Sequence, residues 1–73
     1  MEKKLILLND NDNTFEYVYV ALIRDLFMNP YQSESCVNIA NNVGKCSIKE
    51  GELLDLLPLQ DKLSERNIKT EIV

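Results

Sequence analysis

Five consecutive amide and carboxylate side chains, Asn9-Asp10-Asn11-Asp12-Asn13, divide the start of this chain into two unlike segments. Before them, Leu5-Ile6-Leu7-Leu8 is an unbroken apolar run, too short for a helix and suited to a strand buried on both faces. After them, Phe15, Val18, Leu22 and Leu26 recur at helical spacing with Ala21 beside them. Asn and Asp side chains turn a chain by hydrogen-bonding to nearby backbone, so the pentad enforces a switch from strand to helix. The reading is a strand over Lys3 to Leu8 and a helix beginning at Thr14, opened by a capping box of Asn13 and Glu16. Glu16, Arg24 and Asp25 are expected to face solvent, whereas Tyr19, Ile23 and Phe27 widen the apolar surface toward a second side.

Asn29-Pro30 stops this helix and opens the next, because Asn caps well and Pro is tolerated at the first helical position. Ser33, Cys36, Val37, Ala40 and Val43 form the expected inner stripe, closed by Gly44 in a left-handed conformation. Lys45-Cys46-Ser47-Ile48-Lys49 alternates polar and apolar like a half-buried strand. From Glu50 to Arg66, Leu53, Leu56, Leu59 and Leu63 keep helical spacing. Pro58 removes one amide and disfavours helical geometry at Leu57, which predicts a kinked or two-part helix. Asn67 closes it, and Ile68, Thr70 and Ile72 alternate with polar neighbours as a final strand. The expectation is one domain over residues 1–73, with no repeat, low-complexity tract or linker.

Composition narrows the function classes. Seventy-three residues allow one small core, and 45% hydrophobic with 27% charged residues is the usage of a chain that folds. Twelve acidic against eight basic residues give a net charge of −4, which repels nucleic acid and anionic lipid. The apolar start is too short for a secretory signal, so the expected location is the cytoplasm. Two cysteines without any histidine cannot build the usual four-ligand zinc site, and neither a metal nor a cofactor is expected. Cys36 reads as a small buried hydrophobe, and the expected compartment disfavours a disulfide. Without histidine the commonest general base is missing, and Glu50, Glu52 and Asp55 read as a solvated helix face; an enzyme is not expected.

Three chemistries compete for the polar pentad. A calcium loop starting at Asn9 needs Gly at its sixth position and Glu at its twelfth, where this chain has Thr14 and Val20, so that loop is rejected. The second is connection and capping alone. In the third, oxygens at a strand end converge on an ammonium while adjacent helical side chains take the apolar group attached to it. The residues by themselves leave the last two open.

The run Lys4-Leu5-Ile6-Leu7-Leu8-Asn9-Asp10, followed by Phe15-Glu16-Tyr17-Val18 and, without a gap, by Gly44-Lys45, resembles the ClpS adaptor family. In that family an apolar strand leads into Asn-Asp-Asp-x-Thr-Pro-Met-Glu-Phe-Val. The resemblance is closest over residues 3–45 and implies an α+β fold, a three-stranded antiparallel sheet packed against three helices in the order β-α-α-β-α-β. It also implies a non-catalytic adaptor that binds polypeptides by a bulky apolar N-terminal residue and presents them to a Clp-type AAA+ unfoldase and its protease. Carried over by position, Asn9 and Asp10 accept hydrogen bonds from the substrate α-ammonium, and Asn13 takes the family's Thr position at the helix cap. Phe15, Val18 and Val37 line the pocket for the first side chain, and Ile68 stands for a Leu of the last strand.

The departures from the family pattern bear on affinity. Asn11 replaces the second Asp, Thr14 replaces Pro, and Asn41 replaces a His that helps hold the amine. Asn41 still offers an oxygen, without titrating near neutral pH. Val37 in place of Met enlarges the pocket, while Phe15 in place of Met fills it. Relatives carry a long flexible N-terminal extension that takes part in delivery and a longer region after Gly-Lys, so binding of peptides is expected more firmly than their delivery. The rival expectation is a protein-interaction module of the same fold that has lost the pocket. It would use its outer helical surface around Tyr19, Ile23 and Phe27, as the related C-terminal domain of the ribosomal stalk protein does. In that case Phe15, Val18 and Val37 are ordinary core.

Overall fold

Strand β1 (Lys3–Leu8) lies at the centre of the sheet, with β2 (Lys45–Gly51) on one side and β3 (Thr70–Ile72) on the other, both antiparallel to it. The computed structural model describes residues 1–9 and 11–73, and its helices are α1 (Phe15–Leu26), α2 (Pro30–Val43) and α3 (Leu53–Glu65). This is the expected α+β order. Side chains alternate across a strand, so Leu5 and Leu7 enter the core shared with the helices while Ile6 lies on the other face, itself buried. The helices answer with Leu22 from α1, Val37 and Ala40 from α2, and Leu56 and Leu63 from α3.

Local chemistry sets most of the helix ends. Asn29 accepts from the Gln32 amide at 2.8 Å with Pro30 at the first helical position, and Gly44 closes α2 at φ 108°. At the other helix start the cap is Thr14, not Asn13. Thr14 is extended (φ −72°, ψ 158°) and its Oγ1 accepts from the Tyr17 amide at 3.2 Å, so the helix begins one residue later than expected. Helix α1 ends at Phe27, a non-glycine residue at φ 56° whose ring is 86% exposed.

Four further expectations are corrected. Strand β2 runs to Gly51 instead of Lys49, because Ile48 is an extra residue in the ladder between Ser47, opposite Ile6, and Lys49, opposite Leu5. That bulge breaks the alternation on which a strand end is read. Helix α3 is one segment that starts at Leu53, after Glu52, instead of at Glu50, so of the expected kinked or two-part helix the two-part form does not hold. Leu54 and Pro58 lie on its exposed side, where the carbonyl deprived of a donor is open to water. Its inward stripe is Leu56 and Leu63, with Leu59 half-buried and Leu53 outside. Val43 is exposed: it is the last residue of α2, beyond Ala40, where the buried stripe of Ser33, Val37 and Ala40 ends. Asp25, expected in solvent, is buried against Arg66.

That pair is bidentate, with Nε of Arg66 2.7 Å from Oδ2 and Nη2 3.2 Å from Oδ1 of Asp25. The hydrogen bond and then the charge of Asp25 hold the guanidinium even more firmly protonated than usual. The pair ties the end of α1 to the residue that follows α3.

Among the described residues no helix is long and apolar enough to cross a membrane. Leu56 is fully buried beneath α3, and Leu56→Ala should cost about 3 kcal/mol by leaving a cavity. Urea denaturation reads this as a lower midpoint with an unchanged slope.

Candidate functional site

The site begins with the turn that ends α3. Asn67 is left-handed (φ 63°); its amide donates to the Ser64 carbonyl at 2.9 Å, and the Ile68 amide donates to the Leu63 carbonyl at 2.9 Å. These are the two hydrogen bonds of a Schellman closure, in which the residue after the left-handed one packs back on the helix. Ile68 does so, with Leu63, and both are buried. Ile68 therefore belongs to the helix closure and not to β3, which starts at Thr70.

Helix α1 is fastened to the same turn. Nδ2 of Asn13 donates to the Asn67 carbonyl at 2.8 Å, and the Tyr17 hydroxyl donates to the Arg66 carbonyl at 3.1 Å. Behind the start of α1, the Asn9 amide donates to the Gly44 carbonyl at 2.9 Å, joining the exit of β1 to the end of α2. The beginning of α1, the end of α2 and the segment before β3 are thereby gathered at one corner of the sheet.

They enclose a cavity of about 20 Å³. Its lining includes Asn13, Phe15, Val18, Val37, Asn41 and Ile68, six of the eight residues expected to form a site. The apolar members come from three separate segments, and two carboxamides share the lining with them. Asn9 is exposed and is not part of the lining, and Asp10 lies outside the described residues. The sequence reading missed Leu7, Leu8, Thr14 and Ala40, which complete the wall. Ala40 was within reach of that reading, since it is one helical turn from Val37 and next to Asn41.

The cavity has room for about one water molecule, whereas one of about 150 Å³ accepts benzene. Phe15 is half-buried in the wall, and its ring stacks on Tyr19 at 6.1 Å with an interplanar angle of 20°. The shape is a small, partly open recess with an aromatic side chain in its lining. A wider open groove, about 510 Å³, lies at the opposite end of the α1–α2 pair, lined among others by Leu26, Phe27, Tyr31, Cys36 and Ile48. It has no convergent carboxylates. Of the three residues expected on a rival outer surface, only Phe27 protrudes; Tyr19 and Ile23 are half-buried.

Asn67 should prefer Gly to any branched side chain. Asn67→Gly is expected to leave stability nearly unchanged and Asn67→Val to lose about 1–2 kcal/mol, measured by thermal and urea unfolding.

No curated protein sequence matches the chain. A solved structure of Agrobacterium tumefaciens ClpS2, bound to L-phenylalaninamide, superimposes with a TM-score of 0.82 at 19% identity, covering 99% of this chain and 94% of that one. The family described as ATP-dependent Clp protease adaptor protein ClpS matches residues 2–70. The fold, the element order and that match together establish that this chain belongs to the ClpS adaptor family, whose members are not catalysts.

Proposed function

We propose that this chain is an adaptor that binds polypeptides through a bulky apolar N-terminal residue and brings them to a Clp-type AAA+ unfoldase. The observation that carries the reading is the convergence of Asn13, Phe15, Val18, Val37, Asn41 and Ile68, from separate segments, on one small cavity lined by both apolar side chains and carboxamides. A ligand with an ammonium beside an apolar side chain matches that division. Similar support comes from ClpS2, which was solved with such a ligand, L-phenylalaninamide. Asn9 and Asp10, at the exit of β1, supply the ammonium acceptors, and Asn41 adds an amide oxygen. The net charge of −4 favours approach of a cationic chain start, and the cytoplasm is the compartment in which the reading places the protein.

Binding requires the pocket to open. In this reading Phe15 turns out of the lining to make room for an aromatic side chain, and the apparent affinity is lowered by the fraction of molecules that lack that room. A second reading, docking of a partner on the groove beside exposed Phe27 and Tyr31, uses a different end of the helical pair and leaves the cavity shut.

Fluorescence anisotropy with Phe-, Leu- and Met-leading peptides, against the same peptides acetylated at the N-terminus, tests the proposal. Preference for free bulky chain starts is expected; equal binding of free and acetylated peptides, or none at millimolar protein, would reject it. Asp10→Ala should lose on the order of 1.5–3 kcal/mol of binding and Asp12→Ala much less. Phe15→Ala should strengthen binding of the Phe-leading peptide, because it removes the obstruction, and a loss of affinity there would show that Phe15 is part of the grip. With no histidine in the chain, affinity should stay level through the weakly acidic to neutral range. It should then fall as the peptide α-ammonium loses its proton near about pH 8, read from a titration of Kd against pH.

A further inference from the structure

Cys36 of α2 and Cys46 of β2 are far apart in role but adjacent in space. Both are half-buried free thiols, and both donate to one oxygen, the Ser47 carbonyl, with Sγ distances of 3.8 and 3.5 Å. Cys36 also borders the open groove at the turn between the helices, which gives a small reagent a way in. We propose that Cys36 and Cys46 are a redox-active dithiol, converted by low-molecular-weight disulfides into an intramolecular disulfide that pins α2 to the edge strand β2.

The exchange balances as two thiol–disulfide steps. Cys36 gives up its proton and its sulfur attacks one sulfur of the reagent disulfide, breaking that S–S bond and releasing one reagent thiol. Cys46 then gives up its proton and attacks the Cys36 sulfur of the mixed disulfide, releasing the second reagent thiol. The protein loses two hydrogens and two electrons, and the reagent disulfide gains them as two thiols.

Burial, followed by the hydrogen bond and charge of Cys46, pushes the Cys36 thiol up to about 12. Cys36 is therefore almost wholly protonated at neutral pH, and the first step is slow there and quickens with alkalinity. The consequence is mechanical. Val37 follows Cys36, and Leu7 lies opposite Cys46 in the ladder; both line the small cavity, so the bridge joins the two walls behind it.

The test is incubation of the chain with oxidised glutathione at mildly alkaline pH, followed by intact mass and thiol titration under denaturing conditions. A monomer lighter by two hydrogens, with no titratable thiol, is expected, and reduction should restore both. Closing this loop should raise Tm by about 10 °C. Cys46→Ser should instead accumulate a lasting glutathione adduct on Cys36, reversible by reductant, with no rise in Tm. Lasting adducts or disulfide-linked dimers of the unmodified chain, without the internal bridge, would overturn the proposal, as would two unreacted thiols after prolonged exposure. All of these readouts are independent of peptide binding.

Discussion

Strand β1 is the constraint on which the remaining structure depends. It is hydrogen-bonded along both edges, and its alternate residues Leu5 and Leu7 are the floor on which all three helices gather. A central strand at the start of the chain must wait for both partners, one of which returns only after two helices and the other after three. Both returns are antiparallel, so the exit of β1 lies beside the entry to β2 and the approach to β3. This topology brings the start of α1, the end of α2 and the Arg66–Asn67 turn to one corner, and the cavity is the space they leave. The local caps then adjust a site that sheet order has already located.

What the sequence made legible follows from the range of the interactions. Asn29-Pro30, Gly44 and Asn67 act within a few residues, through caps and left-handed closures, and the chain announces them directly. Asp25 was opaque because its partner Arg66 is 41 residues away and no local pattern separates a buried acid from an exposed one. Asn13 and Thr14 are both good caps standing side by side. Glu16 favoured Asn13 by spacing, but the structure uses the Thr14 hydroxyl and frees Asn13 to reach Asn67, 54 residues on. The end of β2 was hidden by a bulge, which shifts the alternation at Ile48.

The candidate site was legible in membership more than in state. Periodicity placed Phe15, Val18 and Val37 on helical stripes, and family resemblance turned those stripes toward one another. Neither could reveal whether the pocket is open, since that depends on a rotamer and on packing between elements. Phe15, stacked on Tyr19, is part of the lining of a cavity too small for a bulky side chain.

Helix α2 is the wall common to the cavity and the larger groove. Val37, Ala40 and Asn41 face the first, while Tyr31, Gln32 and Cys36 face the second. Between the two, Ser33 is fully buried and its hydroxyl donates to the Tyr19 carbonyl at 2.8 Å, stitching α2 to the middle of α1. The helix is further held by the Asn9 amide at its C-terminal end and by the Cys36 thiol on Ser47. These contacts attach α2 through its C-terminal end and two side chains within it, Ser33 and Cys36. A small side chain packs less surface than a Leu, and α2 presents Ser33, Val37 and Ala40 where α3 presents Leu56 and Leu63. Helix α2 therefore contributes less apolar side chain to the core than α3 does, although it is α2, with α1, that lines the cavity.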